Sequence, residues 1–214
     1  MCSGHAPKAW ISCALIFFLA SCVTHLEFPP LGDPLPASAK LEIPPSIKEL
    51  TIHYTDSCGQ LQETPLGDRL QAALREGIHR TFNKTFDEGT DNTSAPDYVI
   101  QVELVDSSFD LNKEGLYDRA PAVLRLNAIT RIHDRAGALL RQTDIQIARQ
   151  ERLRLEQLSK NCNYMIEPFI HDAVIDFATR VSLNARQAVA SSQKPAASKE
   201  PIQAPMGNLR STSP

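Results

Sequence analysis

Residues 122–149 read AVLRLNAITRIHDRAGALLRQTDIQIAR, and this stretch decides the fold. Ala122–His133 alternates apolar and polar side chains with a period of two, which predicts a strand with one buried face. In Asp134–Gly137 an aspartate can bond its own backbone and a glycine supplies positive φ, which predicts a hairpin turn. Leu139–Arg149 alternates again and pairs back. The stretch therefore predicts an antiparallel hairpin whose apolar face needs a second layer.

Two further strands and two helices flank this hairpin. Ile47–Tyr54 and Tyr98–Phe109 also alternate, which predicts two more half-buried strands. The Thr64–Phe86 segment begins with an N-cap residue and a first-turn proline, and apolar side chains then recur every fourth position. A second apolar stripe predicts a helix from about Tyr164 to Ala185. Because striped helices must pack on a one-sided sheet, the sequence predicts an α+β two-layer sandwich: a four-stranded mixed sheet with two helices on one face, in the order β-α-β-β-β-α.

An apolar run near the N-terminus has the layout of an export signal. Lys8 precedes about a dozen mostly apolar residues, Ala9–Ala20, and a helix needs about 20 to cross a bilayer. The run ends in Leu19-Ala20-Ser21-Cys22, which resembles the lipobox of bacterial lipoproteins. That resemblance implies removal of residues 1–21 and attachment of diacylglycerol to Cys22. An ordinary secretory signal with an incidental cysteine and a buried N-terminal helix are the alternatives.

Composition divides the rest of the chain into a tether, a domain and a tail. Residues 22–45 begin with the lipidated cysteine and carry six prolines, which favours an extended, semi-rigid tether that holds the domain off the membrane. Packing of Leu26 and Phe28 on the domain is left open. Residues 46–186 contain the predicted strands and helices and form the α+β domain. Residues 187–214 are rich in Ala, Ser, Pro, Gln and Lys, so we expect a disordered tail.

The charge balance indicates how the chain would reach a membrane. Its formal net charge of −3 gives no electrostatic reason to bind nucleic acid or to adhere to an anionic bilayer. Attachment would then depend on acyl chains at Cys22, each buried methylene contributing about 0.8 kcal/mol. Val23, rather than aspartate, follows this cysteine. By resemblance to the enterobacterial sorting rule, this favours the outer membrane, with the domain facing the periplasm.

Cys58 and Cys162 remain once the signal and the lipid site are set aside. Two remaining cysteines in an oxidising compartment favour a disulfide between them, and two separately buried thiols are the alternative. The predicted elements run alternately up and down the sheet. The first predicted strand therefore ends at the same end of the sheet at which the second predicted helix begins. A bridge would close about 100 residues, for which the chain-entropy estimate is about 4–5 kcal/mol.

Catalytic signals are weak. The sequence has no Gly-x-Ser-x-Gly, no His-Glu-x-x-His, no phosphate-binding glycine loop and no paired-cysteine metal spacing, and its histidines are scattered over different elements. We therefore expect a protein that is not an enzyme, with no catalytic residue, no metal site and no cofactor.

Arginines are the best candidate binding residues. Arg125, Arg131 and Arg149 fall on the predicted strands, and guanidinium groups bind phosphates bidentately. A sheet face that exposes them would fit the phosphates of lipopolysaccharide or an acidic partner. The alternative is a solvated face on which nearby acidic residues balance the arginines: Glu103, Asp144 and Glu151.

The lipobox, the extended tether and the order β-α-β-β-β-α together resemble the outer-membrane lipopolysaccharide-assembly lipoproteins, the LptE family. Local similarities lie in the strand opening from Pro45 to Tyr54, the Leu66–Leu74 helix and the Leu124–Ile147 hairpin. The resemblance implies two helices on a four-stranded sheet, no catalytic residues, and a position inside a β-barrel partner, LptD, that helps lipopolysaccharide reach the cell surface. Val23–Leu26 departs from the Gly-aromatic start that the family often has after its lipidated cysteine. An auxiliary lipoprotein of a lipid-transport or cell-wall synthase complex is the alternative function.

Overall fold

The computed structural model describes residues 27–86, 95–112, 119–155 and 162–193. The predicted signal at 1–21, the lipid site Cys22 and the end of the predicted tail, residues 194–214, lie outside these ranges. The described elements, in chain order, are β1 Leu35–Glu42, α1 Pro45–Lys48, β2 Thr51–Thr55, β3 Leu61–Pro65, α2 Gly67–Thr81, β4 Phe82–Phe86, β5 Tyr98–Leu111, β6 Arg119–Asp134, β7 Leu139–Arg154 and α3 Ile166–Gln193.

The main sheet has five strands in the order β4-β1-β5-β6-β7, and β2 and β3 form a separate antiparallel ribbon. Strand β1 runs parallel to both β4 and β5, whereas β6 runs antiparallel to its two neighbours, β5 and β7. The predicted α+β class, the mixed sheet and the hairpin at 122–149 are therefore confirmed. The predicted count of four strands is wrong, because β4 adds a fifth strand beside β1.

The first strand of the main sheet comes from the segment predicted as a tether. Ala39 and Leu41 of β1 are buried, and Leu41 lies beside Ile100 of β5. The prediction of a tether over 22–45 is thus wrong for residues 35–42, which form a strand inside the sheet. The physical reason is that Leu35, Ala37, Ala39 and Leu41 alternate with polar residues and proline, so one face can be buried although Pro36 lies at its start.

The predicted first strand, Ile47–Tyr54, does not enter the main sheet. Its first residues belong to the short helix α1, and its last residues belong to β2, which pairs with β3. Thr64 and Pro65, predicted to begin the long helix, instead lie in β3 opposite Ile52 and Thr51, so α2 begins only at Gly67.

Both long helices end at residues other than those predicted. Helix α2 ends at Thr81 rather than near Phe86, and the last five predicted helical residues form β4. Helix α3 continues to Gln193, and both Ala188 and Val189 are buried. The predicted domain limit at 186 is therefore too early, since burying these two side chains orders seven residues that were predicted to be a tail.

The core lies between the main sheet and the two long helices. Buried side chains on one face of β1, β5, β6 and β7 meet α2 and α3, which pack against each other. Gly77 of α2 makes the helix contact close, because a Cβ there would lie 2.5 Å from the Ser182 hydroxyl oxygen. The opposite face of β5, β6 and β7, which we call the open face, has no helix over it among the described residues. No helix in the described ranges is long and apolar enough to cross a membrane.

Candidate functional site

Residues 27–34, which we call the strap, run over the helix layer before β1 begins. The ring of Phe28 lies 5.2 Å below the guanidinium carbon of Arg80, a cation–π contact with α2. Leu31 is buried, and Arg186 of α3 donates from Nη1 to the carbonyl oxygen of Asp33 at 2.6 Å. The chain that follows the predicted lipid site is therefore held on the domain from its first described residues.

A polar pocket of about 530 Å³ lies beside the start of the strap. It is lined by Glu27 and Pro29 of the strap, by Arg149 of β7 and by Asp172 and Thr179 of α3, among others. Arg149 donates from Nη2 to the Asp172 carboxylate at 2.6 Å. Within the described ranges, the buried Arg149 Nε and Thr179 Oγ1 atoms have no hydrogen-bond partner. Two residues that line the pocket therefore each have an unpaired polar atom, which lies buried beneath the pocket surface.

Cys58 and Cys162 form a disulfide, as the sequence predicted, with 5.5 Å between their Cα atoms and 104 residues between them in the chain. Cys58 lies in the turn between β2 and β3, and Cys162 precedes α3. Ser57 reinforces the link, since its backbone nitrogen and its hydroxyl both donate to the Cys162 carbonyl oxygen, at 3.0 and 2.7 Å. The disulfide therefore fastens the β2-β3 ribbon to the beginning of α3.

The three candidate arginines do not form one site. The register places Arg125 and Arg131 on the open face, six residues apart and so about 20 Å from each other. Arg149 pairs with the buried Leu124 and lies on the helix side of β7. The sequence prediction of a shared phosphate-binding face is therefore wrong for Arg149.

Each of these arginines has an acidic partner. Arg125 lies 2.9 Å from the Asp110 carboxylate and Arg131 2.6 Å from the Glu103 carboxylate. Arg131 also donates from Nε to the Gln142 side chain at 3.1 Å. These contacts favour the balanced, solvated face that the sequence left as the alternative. Phosphate binding by these arginines stays a prediction.

A groove of about 590 Å³ lies at one end of the open face. Its walls include Lys40 and Glu42 of β1, Gln101 and Glu103 of β5, and Arg131 of β6. Hydrogen bonds from Lys40 and from Gln101 lower the pKa of the Glu42 carboxyl below its usual value, against a smaller opposing effect of burial. The groove therefore has alternating, mutually satisfied charges rather than a surplus of one sign.

Over the part of the chain that the structure describes, no three His, Cys, Asp or Glu side chains are close enough to hold an ion.

The path of the strap over the helices is the feature that the sequence did not predict. The prolines of residues 22–45 favour an extended tether, and the sequence alone leaves open whether Phe28 packs on the domain. The available signal was the alternation of Leu35, Ala37, Ala39 and Leu41 immediately downstream, which predicts a strand and therefore a chain already on the domain.

No protein-family model matches this sequence, and comparison with curated proteins finds no match either. Among solved structures, the chain is similar to a minor lipoprotein from Acinetobacter baumannii, with 18% identity over 73% of this chain and 94% of that one and a TM-score of 0.43. It is also similar to a hypothetical protein from Chlamydia trachomatis, with 10% identity over 74% and 96% and a TM-score of 0.35. A PelC dodecamer from Paraburkholderia phytofirmans gives 12% identity over 74% and 93% and a TM-score of 0.31. At these TM-scores the similarities carry no argument about function.

Proposed function

We propose that this protein is a lipid-anchored, non-enzymatic outer-membrane lipoprotein that faces the periplasm. The Leu19–Cys22 lipobox supports the anchor. The Cys58–Cys162 disulfide is in keeping with an oxidising compartment. Mass spectrometry of the native N-terminus tests the anchor: we expect an acylated Cys22, and an unmodified thiol with the leader attached would contradict it.

The role we propose for the domain is that of a partner of an outer-membrane β-barrel during lipopolysaccharide assembly. The order β-α-β-β-β-α, on which the resemblance to the LptE family rests, is retained by β1, α2, β5, β6, β7 and α3. The remaining elements, α1, the β2-β3 ribbon and β4, are additions to that order, and its first strand is β1 rather than the predicted Ile47–Tyr54. This support concerns topology alone, so the partner has to be identified by experiment.

The main structural support for the proposed role is the open face of β5, β6 and β7. It presents two long strands, each of 16 residues, without a covering layer among the described residues. Its charges are arranged in pairs, Arg125 with Asp110 and Arg131 with Glu103, and half-buried apolar side chains such as Val123 and Ile129 lie between them. This composition is compatible with a non-obligate protein–protein contact, since such an interface is about as apolar as the rest of a protein surface.

Photo-crosslinking in intact envelopes tests the role. A crosslinking amino acid at Asn127, in the middle of the open face, is compared with one at Arg75, an exposed position on α2. We expect a large outer-membrane β-barrel protein to crosslink from Asn127 and not from Arg75. A clean monomer at both positions would contradict the proposal, and an inner-membrane or peptidoglycan enzyme would support the alternative, an auxiliary subunit of a synthase or transport complex.

A further inference from the structure

Three arginines lie together at one end of the open face, and we call them the arginine cluster. Arg119 of β6, six residues before Arg125 and so on the same face, is directly opposite Arg154 of β7, and Arg152 lies two residues before Arg154. The Arg154 carbonyl oxygen points away from β6, since it accepts a hydrogen bond from the Met165 backbone nitrogen at 2.8 Å. Arg119 and Arg154 therefore form a pair without hydrogen bonds between them, and the Cα atoms of such a pair are about 4.5 Å apart.

The arginine cluster differs from the other arginines of the open face because it has no acidic partner. Arg125 pairs with Asp110 and Arg131 with Glu103, whereas no carboxylate among the described residues pairs with the three side chains of the cluster. All three are exposed. Like charges that lie directly opposite each other on a sheet are destabilising. The cluster is therefore a local concentration of positive charge, which the net charge of −3 does not reveal.

An exposed apolar side chain borders the arginine cluster. Tyr164 pairs with Leu155 in an antiparallel bridge, so Met165 lies beside Arg154 and its side chain points to the same face. Met165 is 50% exposed, whereas Tyr164 is buried. Guanidinium groups bind phosphates, and an apolar side chain beside them can enter the boundary between lipid headgroups and acyl chains. This end of the domain therefore has the composition of a surface that contacts an anionic bilayer.

We propose that the arginine cluster and Met165 contact the anionic phospholipid headgroups of a bilayer. Each basic side chain near such a surface strengthens binding about fivefold, so the three together contribute about a hundredfold. The inference does not rest on the proposed anchor or on the β-barrel partner, because it uses only residues of the described domain. It is compatible with both. Asn127 lies eight residues from Arg119 along β6, about 27 Å away, so the middle of the open face stays accessible to a partner.

Vesicle sedimentation of the chain from Cys22 onward, produced without acylation, tests the contact. We expect the protein to bind vesicles that contain phosphatidylglycerol and not vesicles of phosphatidylcholine alone, and the binding should weaken as the salt concentration rises. Arg152→Gln/Arg154→Gln should lower the binding about 25-fold. The control Arg75→Gln/Arg135→Gln removes the same charge from exposed positions outside the cluster and should lower the binding about threefold or less.

Two outcomes of this experiment would overturn the proposal. Equal losses in the two double variants would mean that the binding depends on net charge and not on the cluster. Binding of pyrophosphate in solution without binding to either kind of vesicle would mean that the cluster is a site for a soluble phosphate compound and not for a lipid surface.

A tryptophan reporter gives a second measurement in which the arginine cluster stays intact. The sequence has a single tryptophan, Trp10, so the chain from Cys22 onward has none. Met165→Trp places a reporter beside the cluster, and Leu139→Trp places a matched reporter at an exposed position at the opposite end of β7. A nitroxide on the headgroups of phosphatidylglycerol vesicles should quench Met165→Trp strongly and Leu139→Trp little. Equal quenching at the two positions, or stronger quenching at Leu139, would contradict the contact that we propose.

Discussion

Arg186 and Asp33 join the two ends of the described chain, since the Arg186 guanidinium donates to the Asp33 carbonyl oxygen across 153 residues of sequence. The same guanidinium lies against Gly32, where a Cβ would be 3.1 Å from Nη2 and where φ is +83°. A glycine therefore suits this position for two reasons: it adopts the positive φ without strain, and it leaves space for the guanidinium group. The path of the strap is set by the C-terminal helix.

Arg186→Met should loosen the strap and lower the free energy of unfolding by about 1–2 kcal/mol, because a hydrogen bond from a charged donor is lost. Urea unfolding measures the change, and limited proteolysis should show faster cleavage within residues 27–34. Arg75→Met, at an exposed position on α2, is the control and should change stability by less than about 0.5 kcal/mol. Equal effects of the two substitutions would contradict the role of Arg186.

Gly77→Ala should destabilise the protein by about 1–3 kcal/mol, although alanine is the better helix former by about 1 kcal/mol. The added Cβ would lie 2.5 Å from the Ser182 hydroxyl oxygen, so this hydroxyl would have to turn away from the Ala178 carbonyl oxygen to which it donates, or α2 and α3 would have to separate. The double substitution Gly77→Ala/Ser182→Ala should recover part of the loss. Thermal unfolding of the four proteins in this cycle measures the coupling, and a stabilising Gly77→Ala would show that the helices are not in close contact.

Cys58→Ser/Cys162→Ser should lower the free energy of unfolding by about 4 kcal/mol in the chain-entropy estimate for a closed loop of this length. Denaturant unfolding of the oxidised, reduced and substituted proteins measures the effect. The reduced protein should match the double variant. If reduction leaves the unfolding midpoint unchanged, the disulfide does not restrict the unfolded chain in the way we expect.

Ser38 and Asp97 give a pH-dependent contribution to stability. The Ser38 hydroxyl and backbone nitrogen donate to the Asp97 carboxylate at 2.7 and 2.9 Å, and these bonds lower the pKa of Asp97 below its ordinary value of 3.8. A lowered folded-state pKa stabilises the protein above pH 3.8, and the contribution is lost as the pH falls through the folded-state value. Ser38→Ala should therefore cost stability at about pH 5–7 and cost less below about pH 3. In a protein that already carries Asp97→Asn, the stability lost through Ser38→Ala should not depend on pH.

The sequence predicted correctly those elements whose hydrophobic pattern fits only one type of secondary structure. Strands β5, β6 and β7 alternate over long stretches, the Asp134–Gly137 turn has both of its required residue types, and the apolar stripe of α3 continues for several turns. The disulfide was predicted from a shared end of the domain, and this is correct although Cys58 follows a strand of the β2-β3 ribbon rather than a strand of the main sheet.

The predictions were wrong for segments whose residues fit two types of structure. Phe82 and Phe86 fit a period of four as well as a period of two, so β4 was assigned to the preceding helix. Leu35–Glu42 alternates cleanly, but the flanking prolines favoured a linker. The acidic partners of Arg125 and Arg131 come from another strand, and only the pairing register of β5 with β6 brings them together.

Strand β1 lies between two parallel neighbours, and the chain from Cys22 enters it through the strap. In the anchored protein that we propose, any tension between membrane and domain would therefore pass along the axis of a central strand. The hydrogen bonds to β4 and β5 lie across that direction, so the tension would load them in shear, many at once, rather than peel them apart one by one. The attachment would then resist mechanical pulling through the hydrogen bonds that β1 makes on both of its edges.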